Sequence, residues 1–412
     1  MTDSTTTLPE PEAADAPDYP MHRAAGCPFD PPPGLRSLQA EEPLTRVRLW
    51  DGSTPWLVTG HAQQRSLLAD PRISADTTHP HYPHQTEAVK ARQAERTFIS
   101  MDDPDHARLR RMVTASFTVK RVKALRPAVQ RVVDGLIDDL LAGPSQADLV
   151  KEFALPVPSL VICALLGVPY ADHDFFQRNS RLLISRDSSP ADSVAAQEAL
   201  VGYLERLVGE KLDRPEDDLL SELAVRHVAT GQLSAREAGL MGQLLLVAGH
   251  ETTANMISLG TLALLQNPGQ FAELRETQDP QLVAGAVEEL LRYLTIVHTG
   301  RRRVALADIE VGGRTIRAGE GVVIASDIGN RDETVFPDPD RLDIHRDARR
   351  HMAFGFGVHQ CLGQPLARLE LEVVYSTLYR RVPTLRLATG LDGVPFKHDA
   401  LVYGVHELPV AW

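Results

Sequence analysis

Cysteine is scarce in this 412-residue chain: it occurs only at Cys27, Cys163 and Cys361. The number is odd, the spacing is wide and no CxxC pair exists. That pattern excludes a disulfide framework, fits a reducing compartment and leaves a four-ligand zinc site without support. Aromatic residues make up only 5% of the chain. Basic residues are outnumbered, 43 Lys and Arg against 55 Asp and Glu, and the net charge of −12 excludes general binding to nucleic acid or to an anionic membrane. No apolar run reaches the length of a membrane span. The N-terminal MTDSTTTLPEPEAADAPDYP has neither the basic start nor the apolar stretch of a secretory signal. A cytoplasmic protein without a membrane anchor is expected.

What is present suffices for a large core, since hydrophobic residues reach 43%. Residues 1–33 read as an extended or flexible arm. RVRLWDGSTPWLVTG reads as a hairpin turning at Asp51-Gly52. Helical patterns run from about Gly60 to Tyr293, strand patterns follow from Arg303, and one more helix comes after Cys361. No repeat and no composition break divides 34–412, which reads as one mostly α domain with a smaller β portion near each end.

Four motifs carry chemistry. In FGFGVHQCLGQPLARLELEVV, Cys361 stands at the mouth of a helix inside a glycine-rich loop. A thiolate there is stabilised by unpaired N–H groups and the helix dipole, and glycines let the backbone approach a flat ligand. The site suits a catalytic nucleophile or a soft-metal ligand, and a buried cysteine in an ordinary turn is the bland alternative. In LLLVAGHETTANMISLGTLALLQ, a helix of roughly 33 residues, or ~50 Å, is apolar nearly all round. Ser234 and Glu237 form a capping box at its start, and Asn267-Pro268 stops it. Yet His250, Glu251, Thr252 and Thr253 sit at its centre, and burying them without partners is costly. Gly249 weakens the helix, and the Thr252 hydroxyl can bond the Ala248 carbonyl or free it. This reads as proton delivery to something bound there, or as a structural polar network.

The third motif, EELLRY, puts Glu289 and Arg292 on one helix face. This is a surface ion pair or, with Arg341 of FPDPDRLD, a buried carboxylate held by two guanidiniums. In DDPDHARLRRM, Asp103 can cap a helix on which His106 and Arg110 lie one turn apart, as a bound carboxylate requires or as on any solvated basic face.

Together, in this order and at these separations, the motifs resemble the cytochrome P-450 family of haem-thiolate monooxygenases. FGFGVHQCLG is similar to its cysteine-ligand loop, AGHETT to its oxygen-activating helix, and Glu289, Arg292 and Arg341 to its core triad. The resemblance covers nearly everything after the arm and is closest to the soluble actinomycete type acting on secondary metabolites, secosteroids and xenobiotics. It implies a triangular helical domain around haem b (iron protoporphyrin IX), with Cys361 as the iron ligand, kept ionised by the helix dipole and loop N–H groups. It also implies His106, Arg110, Arg303 and His359 around the haem propionates, Phe354 near the ligand loop, and Ala248 and Gly249 against the haem. Glu251 and Thr252 match the acid–alcohol pair that delivers protons in O2 activation, with Glu where many relatives carry Asp. Substrate walls fall to Gln243, Leu244 and Val247 of the long helix, to Ile296, Val297 and His298, and to Leu401 and Val402. His298 and Gln243 are candidates to bond a substrate oxygen, although His298 could equally face solvent. A lid is expected from Thr77 to Phe98 and from Ser185 to Ser193.

The implied activity inserts one oxygen atom into a C–H bond or double bond of a bulky lipophilic metabolite or drug. Electrons would come from NAD(P)H through ferredoxin reductase and ferredoxin, because no flavin or iron–sulfur segment is visible in the chain. A peroxide-driven peroxygenase and a non-catalytic haem gas sensor are the alternatives. Neither needs the acid–alcohol pair.

Overall fold

The computed structural model describes residues 16–24 and 26–412. The remainder of the expected N-terminal arm, 1–15 and Ala25, lies outside the described residues. Asp18 and Tyr19 lie along the first hairpin, where Tyr19 N–H donates to the Arg48 carbonyl at 2.8 Å and its ring is buried.

The hairpin forms where Asp51-Gly52 predicts it. Gly52 takes φ +81°, Asp51 accepts from the Ser53 amide, and Leu44 pairs with Val58 in antiparallel register. It extends into a five-stranded sheet ordered Leu44–Arg46, Trp56–Val58, Gly321–Ile324, Arg301–Ala305, Ile73–Ser74. Strand Arg301–Ala305 pairs antiparallel with Gly321–Ile324, so Arg301 and Arg303 share one face and Arg302 takes the other. A second sheet joins distant parts of the sequence: Pro409–Ala411 pairs with Gln146–Asp148 and with Arg386–Leu387.

The helical body is built around Ala235–Leu265, 31 residues started by a Ser234–Glu237 capping box. Helices Pro156–Leu166, Pro190–Asp213 and Gln364–Arg381 pack on it. Leu246, Ile257, Leu259 and Leu262 are fully buried, each contributing about 1.5–3 kcal/mol, which offsets the helix weakness at Gly249. That glycine has a packing reason: a Cβ there would meet Ile162 at 2.9 Å, so the two helices touch where it stands. Gly249 therefore serves helix contact on that side. Among the described residues, no helix is long and apolar enough to cross a membrane.

Candidate active site

The cysteine loop is a set of tight turns. Gly355 and Gly357 adopt φ +73° and +74°, and a Cβ on Gly357 would sit 2.1 Å from the Leu68 carbonyl, so only glycine fits. Cys361 closes the loop by donating its N–H to the Phe354 carbonyl at 2.8 Å. Helix Gln364–Arg381 starts three residues later. Cys163 is buried, with its thiol pushed up to about 12 by desolvation; Cys27 is half-buried and its thiol donates to Asp30 at 3.0 Å; Cys361 is the most exposed of the three. Its thiol is nevertheless raised, because the surrounding loop removes water faster than the Gly363 and Gln364 amides, Arg301 and Arg110 can compensate. The amides and guanidiniums favour the thiolate against that burial, and a bound metal ion would complete the ionisation.

The central helix is buried nearly all round except along one line. Leu245, Leu246, His250 and Glu251 are buried, whereas Leu244 is half-buried, Ala248 exposed and Thr252 half-buried, at i, i+4 and i+8. Apolar side chains followed by one hydroxyl thus line an open face in the middle of the protein. The Thr252 hydroxyl donates to the Ala248 carbonyl at 2.7 Å. Glu251 turns elsewhere: its carboxylate lies 3.5 Å from His250 Nε2 and 3.4 Å from Lys397 Nζ. Burial alone would raise this acid, but His250 and Lys397 more than reverse it and hold it at about 2. Lys397 also donates to Asn255 at 3.0 Å.

A cationic set gathers beside the loop. The His106 and His359 rings are 4.2 Å apart, and Arg110 donates to the Gln360 carbonyl at 2.6 Å. Arg303 is buried on the sheet. Asp103 holds His106 Nδ1 at 2.9 Å and is itself lowered by that bond. Burial, then the charges of Arg303, His106 and Arg110, push His359 down to about 3. His106 Nε2 and His359 Nδ1 are both buried without a partner. Two guanidiniums beside two imidazoles with unused nitrogens call for an anionic partner, and the two carboxylates of a haem fit that demand.

The buried carboxylate predicted at Glu289 exists. It receives Arg292 Nε and Nη2 at 2.7 and 2.8 Å, both side chains being fully buried. The second guanidinium is a correction, however. Arg341 is solvent-facing and pairs with Asp343 at 2.9 Å, while Arg346 Nε reaches Glu289 at 3.2 Å. The chain turns sharply after Pro337, with Asp338 at φ +49°, and this turn brings the later arginine inward.

The chain is similar to known proteins over nearly its whole length. A profile described as Cytochrome P450 matches residues 194–382. Cytochrome P450 GfsF of Streptomyces halstedii is 56% identical over 415 residues, covering 100% of both chains. The chain belongs to the cytochrome P450 family. A vitamin D3 dihydroxylase of Streptomyces griseolus is 49% identical over 414 residues, again covering 100% of both chains. The crystal structure of the mycinamicin VIII C21 methyl hydroxylase MycCI from Micromonospora griseorubida, bound to mycinamicin VIII, superposes with a TM-score of 0.91 at 42% identity, covering 96% of this chain and 100% of that one. This P450 is a monooxygenase and takes haem b.

In this P450, residues 296–298 and 401–402 of the expected walls lie beside one another at the C-terminal segment. The Ile296 carbonyl accepts from Tyr403 N–H at 2.8 Å, and Val297 and Val402 pack half-buried against the core. Leu401 N–H donates to the Ile184 carbonyl at 2.8 Å and Arg186 N–H to Asp399 at 2.7 Å, tying the 185–193 segment to this wall. Arg92 reaches the Leu183 carbonyl at 2.9 Å from the other lid segment. Gln243 is buried on the central helix. His298 is neither a free donor nor solvent-facing: its Nε2 bonds the Ala400 carbonyl at 2.9 Å and its ring lies 5.2 Å from Tyr403, so it braces the wall. Burial, with Arg23 nearby, pushes it down to about 3, which keeps it neutral.

Sequence reading missed Lys397, 146 residues from Glu251, and Arg301. The Arg301 guanidinium bonds Ser326 and the Ala353 carbonyl, each at 2.6 Å, and a Cβ on Gly355 would lie 3.2 Å from its Nε. Strand alternation in RRR was the available signal, since it puts Arg301 on the face of Arg303.

Proposed function

We propose that this P450 inserts one oxygen atom into an unactivated C–H bond or a double bond of a bulky, largely apolar metabolite with few oxygens, of macrolide or secosteroid type. The observation that carries the reading is the open line Leu244–Ala248–Thr252 on an otherwise buried helix. It offers aliphatic area for substrate at ~25 cal/mol per Å² and a single hydroxyl at the end where chemistry takes place. The names of relatives agree: vitamin D3, a mycaminosyltylactone and mycinamicin VIII are large lipophilic molecules.

Haem b, held through the Cys361 thiolate with His106, Arg110, Arg303 and His359 on its propionates, would supply the O2 chemistry. The remaining tasks fall to this chain. The aliphatic walls exclude water and bind by area. The Thr252 hydroxyl holds a proton at Oγ1, released when its bond to Ala248 opens. Glu251, ionised at rest, would take a proton from the Lys397 ammonium, which is 13% exposed and is reprotonated from solvent, and pass it on to that hydroxyl. Electrons enter from a ferredoxin supplied by its reductase. Arg108, Arg111, Lys120, Arg121, Lys123, Arg349 and Arg350 are exposed on segments flanking the cysteine loop, which suits an acidic partner on a chain that is acidic overall. Titrating macrolides and secosteroids against the haem-loaded protein tests the reading. Displacement of the iron's water at micromolar concentration supports it, and a response confined to small or highly charged molecules refutes it.

A further inference from the structure

Glu288 and Glu289 are neighbours on helix Pro280–Leu294, but they serve different parts of the molecule. Glu289 holds Arg292 and Arg346. Glu288 reaches the helix behind the cysteine loop. Its Oε1 accepts from Arg368 Nε at 2.5 Å and its Oε2 from Arg368 Nη2 at 3.1 Å, a bidentate fork. The same Oε2 lies 3.1 Å from His351 Nε2. Thus fixed, the Arg368 guanidinium stands 4.6 Å from the centre of the Phe354 ring, and the His351 ring lies 5.9 Å from it at 48°. Arg368 also donates to Gln364 at 2.9 Å, in the first turn of its own helix. Phe354 is the residue whose carbonyl accepts the Cys361 amide at 2.8 Å. An unbroken run of contacts therefore leads from the Glu288 carboxylate to the Cys361 backbone.

A guanidinium covers a ring face only when its plane is held, and a bidentate carboxylate holds it. Glu288 is 15% exposed, so this is no loose surface pair. We propose that Glu288 is a positioning residue for the thiolate ligand: through Arg368 and His351 it clamps Phe354, and through Phe354 it fixes the Cys361 amide. The clamp would set how firmly the sulfur keeps its metal and how readily the haem is reduced. The inference rests on Cys361 being the ligand, and the structural alternative is an ion pair that only joins two helices.

The test uses the full-length haem-loaded protein as Glu288→Gln, Arg368→Lys and Phe354→Leu, with Glu288→Gln and Phe354→Leu also combined. Two quantities are read beside the unfolding midpoint: the reduction potential, and the rate at which the reduced carbon monoxide complex loses its thiolate absorption band. Expected are a shifted potential and loss of the band about tenfold faster in Glu288→Gln and in Arg368→Lys. Most of the Glu288→Gln effect should vanish in the Phe354→Leu background, because the two act in series. The proposal is overturned if Glu288→Gln lowers only the unfolding midpoint, or if its effects add in full to those of Phe354→Leu. Should Glu288→Gln fail to load haem, Arg368→Lys decides on the same two readouts, since it keeps the charge and removes the planar stack. A Cys361→Ser control that kept the thiolate band would instead overturn the ligand assignment, which separates the two failures.

Discussion

Thr252 donates its hydroxyl to the Ala248 carbonyl at 2.7 Å, across one turn of a helix whose neighbouring residues are buried. The pair combines a parked proton with a weak point in the helix ladder, on the helix's open face. Thr252→Ala should leave NADPH consumption running while product falls about 10–100-fold and hydrogen peroxide appears in its place. The ratio of product to NADPH consumed checks this, and an unchanged ratio assigns proton delivery to another group.

Arg346 and Arg341 divide what sequence spacing gave to Arg341 alone. Glu289 is fully buried and receives Arg346, which is 9% exposed, whereas Arg341 is 66% exposed. Arg346→Ala should therefore cost about 2–3 kcal/mol in denaturant unfolding, because it strips a partner from a buried carboxylate. Arg341→Ala should stay within about 0.5 kcal/mol. The reverse order would restore the sequence assignment.

The pH dependence of stability has two limbs of opposite cause. Burial would raise Glu251 and Glu288, but His250 with Lys397, and His351 with Arg368, reverse this and hold both at about 2 against an ordinary 4.5. Their contribution is complete above 4.5 and is lost as pH falls toward 2. Glu370 is the opposite case: its Oε2 is buried without a partner, and desolvation pushes it up to about 8. The folded state then holds a proton that the unfolded state has released, so stability falls as pH rises from 4.5 toward 8. Glu370→Gln should flatten this alkaline limb by about 1–3 kcal/mol and leave the acid limb intact. Thermal midpoints across the range decide it, and an alkaline limb unchanged in the variant rules Glu370 out as its source.

Electron delivery should depend on salt. The exposed arginines and lysines beside the cysteine loop are the proposed docking surface, and screening shortens their reach to ~8 Å at physiological ionic strength. The rate of reduction by ferredoxin should fall steadily from low to high salt, and reversing charge at Arg111 and Arg121 should lower it about tenfold at low salt. A rate indifferent to both would place docking elsewhere.

Local patterns were legible in the sequence, and long-range pairings were not. The Ser234 capping box, the Asp51-Gly52 hairpin and the glycines around Cys361 state their backbone geometry in a few adjacent residues, and the structure has them. The cationic set was reached through family resemblance, and the structure gathers His106 and His359 from 253 residues apart. Three features had no local signal. Lys397 meets Glu251 only because the C-terminal segment folds back onto the central helix. The 409–411 strand pairs with 146–148 for the same kind of reason. Arg346 replaced Arg341 because a turn at Asp338, invisible in spacing, decides which guanidinium faces inward. The contact of Gly249 with Ile162 was likewise not legible, because a helix glycine says that something comes close without saying which residue does.

The central claim is that Cys361, set at the mouth of its helix with its amide on Phe354, carries the haem. Its most direct test is the absorption spectrum of the reduced, carbon monoxide-bound protein. The parent, Cys27→Ser and Cys163→Ser should all show the strongly red-shifted Soret band of thiolate ligation, and Cys361→Ser alone should lose it. A red-shifted band that survives in Cys361→Ser would contradict the account.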